Sequence, residues 1–63
     1  MAHEYLMYGI DIAGAIVSTE RFAGVDEAEV RRIATERLER YPMIEVWDGA
    51  ICMIRLRRPS AGR

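Results

Sequence analysis

Lysine is absent from this sequence: all nine basic residues are arginine, set against ten acidic residues for a net charge of −1. A chain so close to neutral carries no overall electrostatic footprint for nucleic acid. Arginine used to the exclusion of lysine reads as codon usage in a GC-rich bacterial genome rather than a demand for guanidinium forks. Cysteine and histidine each occur once, as Cys52 and His3. One cysteine excludes an intramolecular disulfide, and the pair excludes a Cys/His zinc site within one chain. Long uncharged runs are missing too. The longest, Ile12 to Thr19, is too short to span a bilayer. Glu4 and Asp11 break any signal-peptide pattern, so a cytoplasmic location is the expectation. Gly9, Gly14, Gly24 and Gly49 match neither the dinucleotide-binding nor the Walker spacing, and no repeat of solenoid length fits.

The residues that are present describe a globular chain, 51% apolar and 30% charged. With 63 residues it makes one domain, residues 1–63, and a chain this short buries only about 60% of the surface it exposes when unfolded. Small domains gain stability from disulfides, a metal or association. Cysteine and histidine usage leaves association.

The segments Tyr5–Asp11 and Ala15–Phe22 are rich in aromatic and β-branched residues and predict two strands. Ile12-Ala13-Gly14 between them fits a three-residue hairpin loop that closes on a left-handed glycine. The stretch from Val25 to Pro42 predicts a helix. Asp26 is its N-cap and Glu29 completes a capping box, with Val25 placed to staple onto Val30. Val30, Ile33, Ala34, Leu38 and Tyr41 form one apolar stripe. Glu27/Arg31, Arg32/Glu36 and Glu36/Arg40 are i,i+4 pairs, and Pro42 stops the helix. A second hairpin follows, from Ile44 to Arg58 around Asp48-Gly49. A three-residue loop, Trp47-Asp48-Gly49, pairs Val46 with Ala50. It sorts Ile44, Val46, Cys52, Ile54 and Leu56 onto one face, and Glu45, Ile51, Met53, Arg55 and Arg57 onto the other. The expectation is an α+β fold: a four-stranded, mainly antiparallel sheet in the order β-β-α-β-β, with one helix on one face. Residues 58–63 read as a flexible tail.

Tyr5, Tyr8, Asp11, Gly14, Ile16, Phe22, Asp26, Glu29, Glu45, Val46, Trp47, Gly49, Arg55 and Leu56 make a recognisable pattern. On them the chain resembles a group of very small, functionally uncharacterised bacterial proteins. These have an aromatic-rich first strand, an Asp-x-x-Gly turn, a D-x-x-E helix start and an E-[LV]-W-x-G hairpin. The shared motifs are turns, caps and core, so the resemblance implies the fold and no activity. This sequence departs from the pattern at Gly9 and Ile51.

Catalysis needs a nucleophile or base, an orienting partner and a charge stabiliser within reach. Cys52 is placed mid-strand on the core face, where a thiol is inert, and His3 is expected at a frayed terminus. Asp26, Glu27 and Glu29 serve the helix dipole, and Asp11 and Asp48 are turn residues. No enzyme, cofactor or metal is therefore expected. The stronger signal is an excess of apolar residues over what one helix can cover. Assigning Leu6, Tyr8, Ile10, Ile16, Ser18 and Phe22 to the helix side leaves Tyr5, Met7, Val17, Ile51 and Met53 on the open face, edged by Arg21, Glu45 and Arg55. Such a patch marks a contact site, and self-association, most simply a homodimer, is the leading expectation. The alternatives are an antitoxin-like adaptor that binds another protein at a strand edge and a weak single-stranded nucleic-acid binder using the arginine-rich C-terminus.

Overall fold

The computed structural model describes residues 3–59. In chain order the elements are β1 (His3–Ile10), β2 (Ile16–Gly24), α1 (Glu27–Arg37), β3 (Met43–Asp48) and β4 (Ile51–Arg57). The strands form one sheet in the order β2-β1-β3-β4, and every neighbouring pair is antiparallel. The fold is α+β. Strands β2 and β3 flank β1 and run parallel to each other, so α1 carries the chain across one face of the sheet between them.

The first loop closes as its sequence dictates. Asp11 N–H donates to Ala15 O and Gly14 N–H to Asp11 O, both at 2.9 Å, and Gly14 takes a φ of +89°. Asp11 Oδ1 accepts from Ala13 N and Ala15 N at 2.9 Å each, the local bonding that favours Asp in turns. The second loop differs from expectation. Asp48 pairs with Ile51, leaving a two-residue turn at Gly49-Ala50, and the register shifts where Trp47 opposes Cys52. Gly49 has a φ of +61° at the first central position, where a type II′ turn places glycine. The extra residue of the bulge at Cys52–Met53 restores parity. Ile44 and Val46 therefore oppose Leu56 and Ile54 and face the helix, although the turn is shorter than expected. Cys52 pairs with Trp47 instead of Ile44.

Helix α1 starts with a variant of the capping box, in which Glu29 reaches back one residue past the N-cap. Asp26 accepts from Glu29 N at 2.8 Å, and Glu29 Oε1 accepts from Val25 N at 2.9 Å. Val25 is 66% exposed and makes no staple, because Val30 turns inward. A Cβ on Gly24 would lie 2.8 Å from Val30 Cγ2, so the glycine makes room for that valine. The pairs Glu27–Arg31 and Arg32–Glu36 form at 3.6 and 3.0 Å. Glu36/Arg40 does not, since the helix ends at Arg37 and continues as i→i−3 turns. Arg58, the first residue of the expected tail, makes two hydrogen bonds to the body of the domain: its backbone N donates to Pro42 O and its Nε to Leu38 O, both at 2.8 Å. The guanidinium thereby caps an orphan carbonyl at the helix end. Residues 60–63 lie outside the described residues.

The core between helix and sheet is Tyr5, Met7, Val30, Ala34, Ile44, Val46 and Ile54, with Phe22, Ile33, Leu38, Tyr41, Met53 and Leu56 packed against it. This corrects the expected orientation of β1. Tyr5 is 9% and Met7 1% exposed, so both lie beneath the helix, and Leu6, Tyr8 and Ile10 alternate to the other side. The sequence pattern of β1 is apolar on both faces, and only the cross-strand register breaks the tie. Met7 sits level with Val46, and Val46 with Ile54.

Candidate functional site

The sheet face away from α1 has no covering layer among the described residues, and the molecule is 16 Å thick in its smallest dimension. Its side chains follow from register and alternation. One row holds Arg21, Leu6, Trp47 and Cys52; the next Thr19, Tyr8, Glu45 and Arg55; the third Ile16, Ile10, Met43 and Arg57. The two central strands thus contribute Leu6, Tyr8, Met43 and Trp47, an apolar stripe of half-buried side chains, with Ile10 beside it only 6% exposed. Arginines stand on both outer strands.

Of the residues expected on this face, Tyr5 and Met7 belong to the core. Met53, half-buried at the bulge, also packs against the core. Val17 and Ile51 are exposed at 55% and 68%. They lie at the β2 bulge and beside the second turn, at the margins of the stripe rather than in it. Sequence reasoning missed Leu6, Tyr8, Met43 and Trp47 as a set. The alternation of β3 already grouped Met43 with Trp47, but nothing in the sequence alone tied that group to the Leu6 set of β1.

One polar group is embedded in the stripe. Glu45 has a side chain only 17% exposed, and its Oε2 lies 3.2 Å from Arg55 Nε. Its Oε1 accepts from Trp47 Nε1 at 3.0 Å. Further out, Arg21 and Glu4 approach to 3.9 Å, both well exposed.

Two features lie elsewhere. Between β2 and the end of α1 a polar cleft of 460 Å³ is lined by Ser18, Thr19, Glu20, Arg37, Arg40 and Tyr41, among others. Arg37 grips Glu20 through Nε at 3.1 Å and Nη2 at 2.9 Å. The Arg37 hydrogen bond holds the Glu20 carboxyl below its ordinary pKa against partial desolvation, and Glu20 in turn raises that of Arg37. This pair fastens the helix to the sheet edge. At the other end of β1, His3 is ordered in the strand. Its Nε2 lies 2.6 Å from Asp48 Oδ1 and its ring meets the edge of Tyr5 at 5.0 Å. Among the described residues, no group of three or more His, Cys, Asp or Glu side chains is arranged to hold a metal ion, and no helix is long and apolar enough to cross a membrane.

Comparison with family models, curated proteins and solved structures finds no match to this chain.

Proposed function

We propose that this protein is a small non-enzymatic domain that associates with itself, as a homodimer in the simplest case, through the open sheet face. The observation that carries the reading is the stripe of Leu6, Tyr8, Met43 and Trp47 on the side of the sheet without a helix. A contiguous apolar surface of this kind on so small a domain is a contact site. Burying it against another copy supplies the stabilisation that a single thin core lacks. Met43 is an adaptable filler and Trp47 and Tyr8 are large anchors, residue types enriched where proteins meet. A cytoplasmic setting fits the free, half-buried thiol of Cys52.

Trp47 is the only tryptophan and lies in the proposed interface, which gives a direct assay. Sedimentation across a concentration series, with tryptophan emission recorded in parallel, should reveal a dimer whose formation blue-shifts the emission. Leu6→Glu should abolish both. A wild type that remains monomeric at high micromolar concentration, with emission independent of concentration, removes the reading.

A second reading is favoured by one observation. Tyr8 and Trp47 are diagonal neighbours on the open face, with Arg21, Arg55 and Arg57 around them, the ingredients of a base-stacking surface for single strands. It stands second because Glu4 and Glu45 share that face and the net charge is −1. Quenching of Trp47 by a single-stranded oligonucleotide at physiological salt, lost on Arg55→Ala/Arg57→Ala, would support it.

A further inference from the structure

The following rests on the self-association reading. We propose that Glu45, held by Trp47 and Arg55, restricts that association to one register. The stripe is interrupted at a single place near its centre. Glu45 of β3 lies in the same cross-strand row as Tyr8 of β1 and Arg55 of β4. One carboxylate oxygen accepts from Trp47 Nε1 at 3.0 Å and the other faces Arg55 Nε at 3.2 Å. An ionised carboxylate offers about four acceptor positions. Trp47 fills one within the protomer, Arg55 stands beside the second oxygen as an ion pair, and the rest are left to water.

When a second sheet covers the face, that water leaves. The remaining lone pairs then need donors from the occupant, because an unpartnered charge in a dry interface is strongly destabilising. A second copy brings the Tyr8 hydroxyl and the guanidinium groups of Arg21 and Arg57. It sets one of them over Glu45 only in particular alignments. Every other alignment of two apolar stripes leaves the carboxylate stranded. A leucine in place of Glu45 would make many alignments nearly equivalent.

The charges on the face favour a second copy as the occupant. Arg21, Arg55 and Arg57 share it with Glu4 and Glu45, so the surface carries both signs and complements itself, whereas a polyanion would meet two carboxylates. The size points to a weak pair. Four strands at their usual spacing give roughly 400 Å² in projection on each face, about 800 Å² for two faces, below the roughly 1,200 Å² at which standard stable interfaces begin. An interface of that size has little reserve to absorb a stranded charge.

The test compares wild type, Glu45→Leu and Glu45→Gln by native mass spectrometry and sedimentation velocity, with circular dichroism as the check on folding. The wild type should show one stoichiometry. Glu45→Leu should associate at least tenfold more tightly and spread over several stoichiometries. Glu45→Gln, which keeps an acceptor but loses the charge, should keep the wild-type stoichiometry and bind about tenfold more weakly. If Glu45→Leu yields the single wild-type species with unchanged or weaker affinity, the register role is overturned while self-association stands. Should the leucine variant not fold, an unchanged dissociation constant for Glu45→Gln overturns the role. A wild type of mixed stoichiometry overturns it as well. A monomeric wild type overturns both this inference and its premise, and one whose Trp47 emission responds to an oligonucleotide instead transfers the face to nucleic acid.

Discussion

Gly9 shows how a single residue shapes the packing of this domain. It lies on the helix side of β1, and a Cβ there would sit 2.7 to 3.0 Å from three carbons of the Tyr41 ring. The aromatic ring covers the backbone where a side chain would otherwise stand, an arrangement that shields a strand glycine. Gly9→Ala should therefore destabilise the fold by about 1–3 kcal/mol through overpacking, read as a lower midpoint in urea. An unchanged midpoint would mean that Tyr41 moves aside at no cost. Glu20 and Arg37 give a second residue-scale prediction. Their side chains are 41% and 34% exposed, so the bidentate pair contributes less than about 1 kcal/mol after solvent screening. The folded-state pKa of Glu20 is depressed from 4.5, first by its hydrogen bond to Arg37. The contribution is therefore present above the unfolded pKa and is lost as pH falls through the lower folded value. Glu20→Gln should be slightly less stable than wild type at neutral pH, and the two should converge in strong acid. A difference that grows on acidification would contradict the sign.

Within each element, local signals decide the ends. Asp26 accepts from Glu29 N and the Glu29 carboxylate accepts from Val25 N at the first turn of α1, and Arg58, just after β4, closes the far end. The helix spans only Glu27–Arg37, a length at which isolated helices are marginal. Packing of Val30 and Ala34 on the sheet supplies most of its stability, and the caps add to it. Asp26→Ala should cost about 1 kcal/mol, within a usual range of roughly 0.5–2, with a matching loss of helical signal near the transition. No change would show that packing of Val30 and Ala34 fixes the helix start alone. The outer strands β2 and β4 both leave an edge free among the described residues, and both carry a bulge. Bulges and edge charges blunt strand edges against pairing, which points contact towards the face of the sheet.

At the scale of the whole molecule, the proposed association would bear directly on stability. At roughly 0.05–0.15 kcal/mol per residue, a domain of this size holds only some 3–9 kcal/mol against unfolding. If association adds to this by mass action, the thermal midpoint must rise with protein concentration. Melting curves over a hundredfold range of concentration should show that rise for wild type and a flat line for Leu6→Glu. A flat line for both would leave the two-layer fold self-sufficient.

The sequence by itself determined the element order, the capping box at Asp26 and Glu29, the Gly14 loop and the α+β class, because each is written in the spacing of neighbouring residues. It also determined that more apolar surface exists than α1 covers. Only the tertiary structure decided which face of β1 points inward. Tyr5 and Met7 alternate with Leu6, Tyr8 and Ile10, so both sides of that strand are apolar, and local pattern has no preference between them. The choice is made by pairing with β3, where Met7 lies level with Val46. The bulge at Cys52–Met53 was equally hidden, since one inserted residue changes strand parity without changing composition. Local chemistry fixes the Gly14 loop and the Asp26 cap over three or four residues, whereas the face of a two-sided strand is fixed by neighbours some forty residues away along the chain.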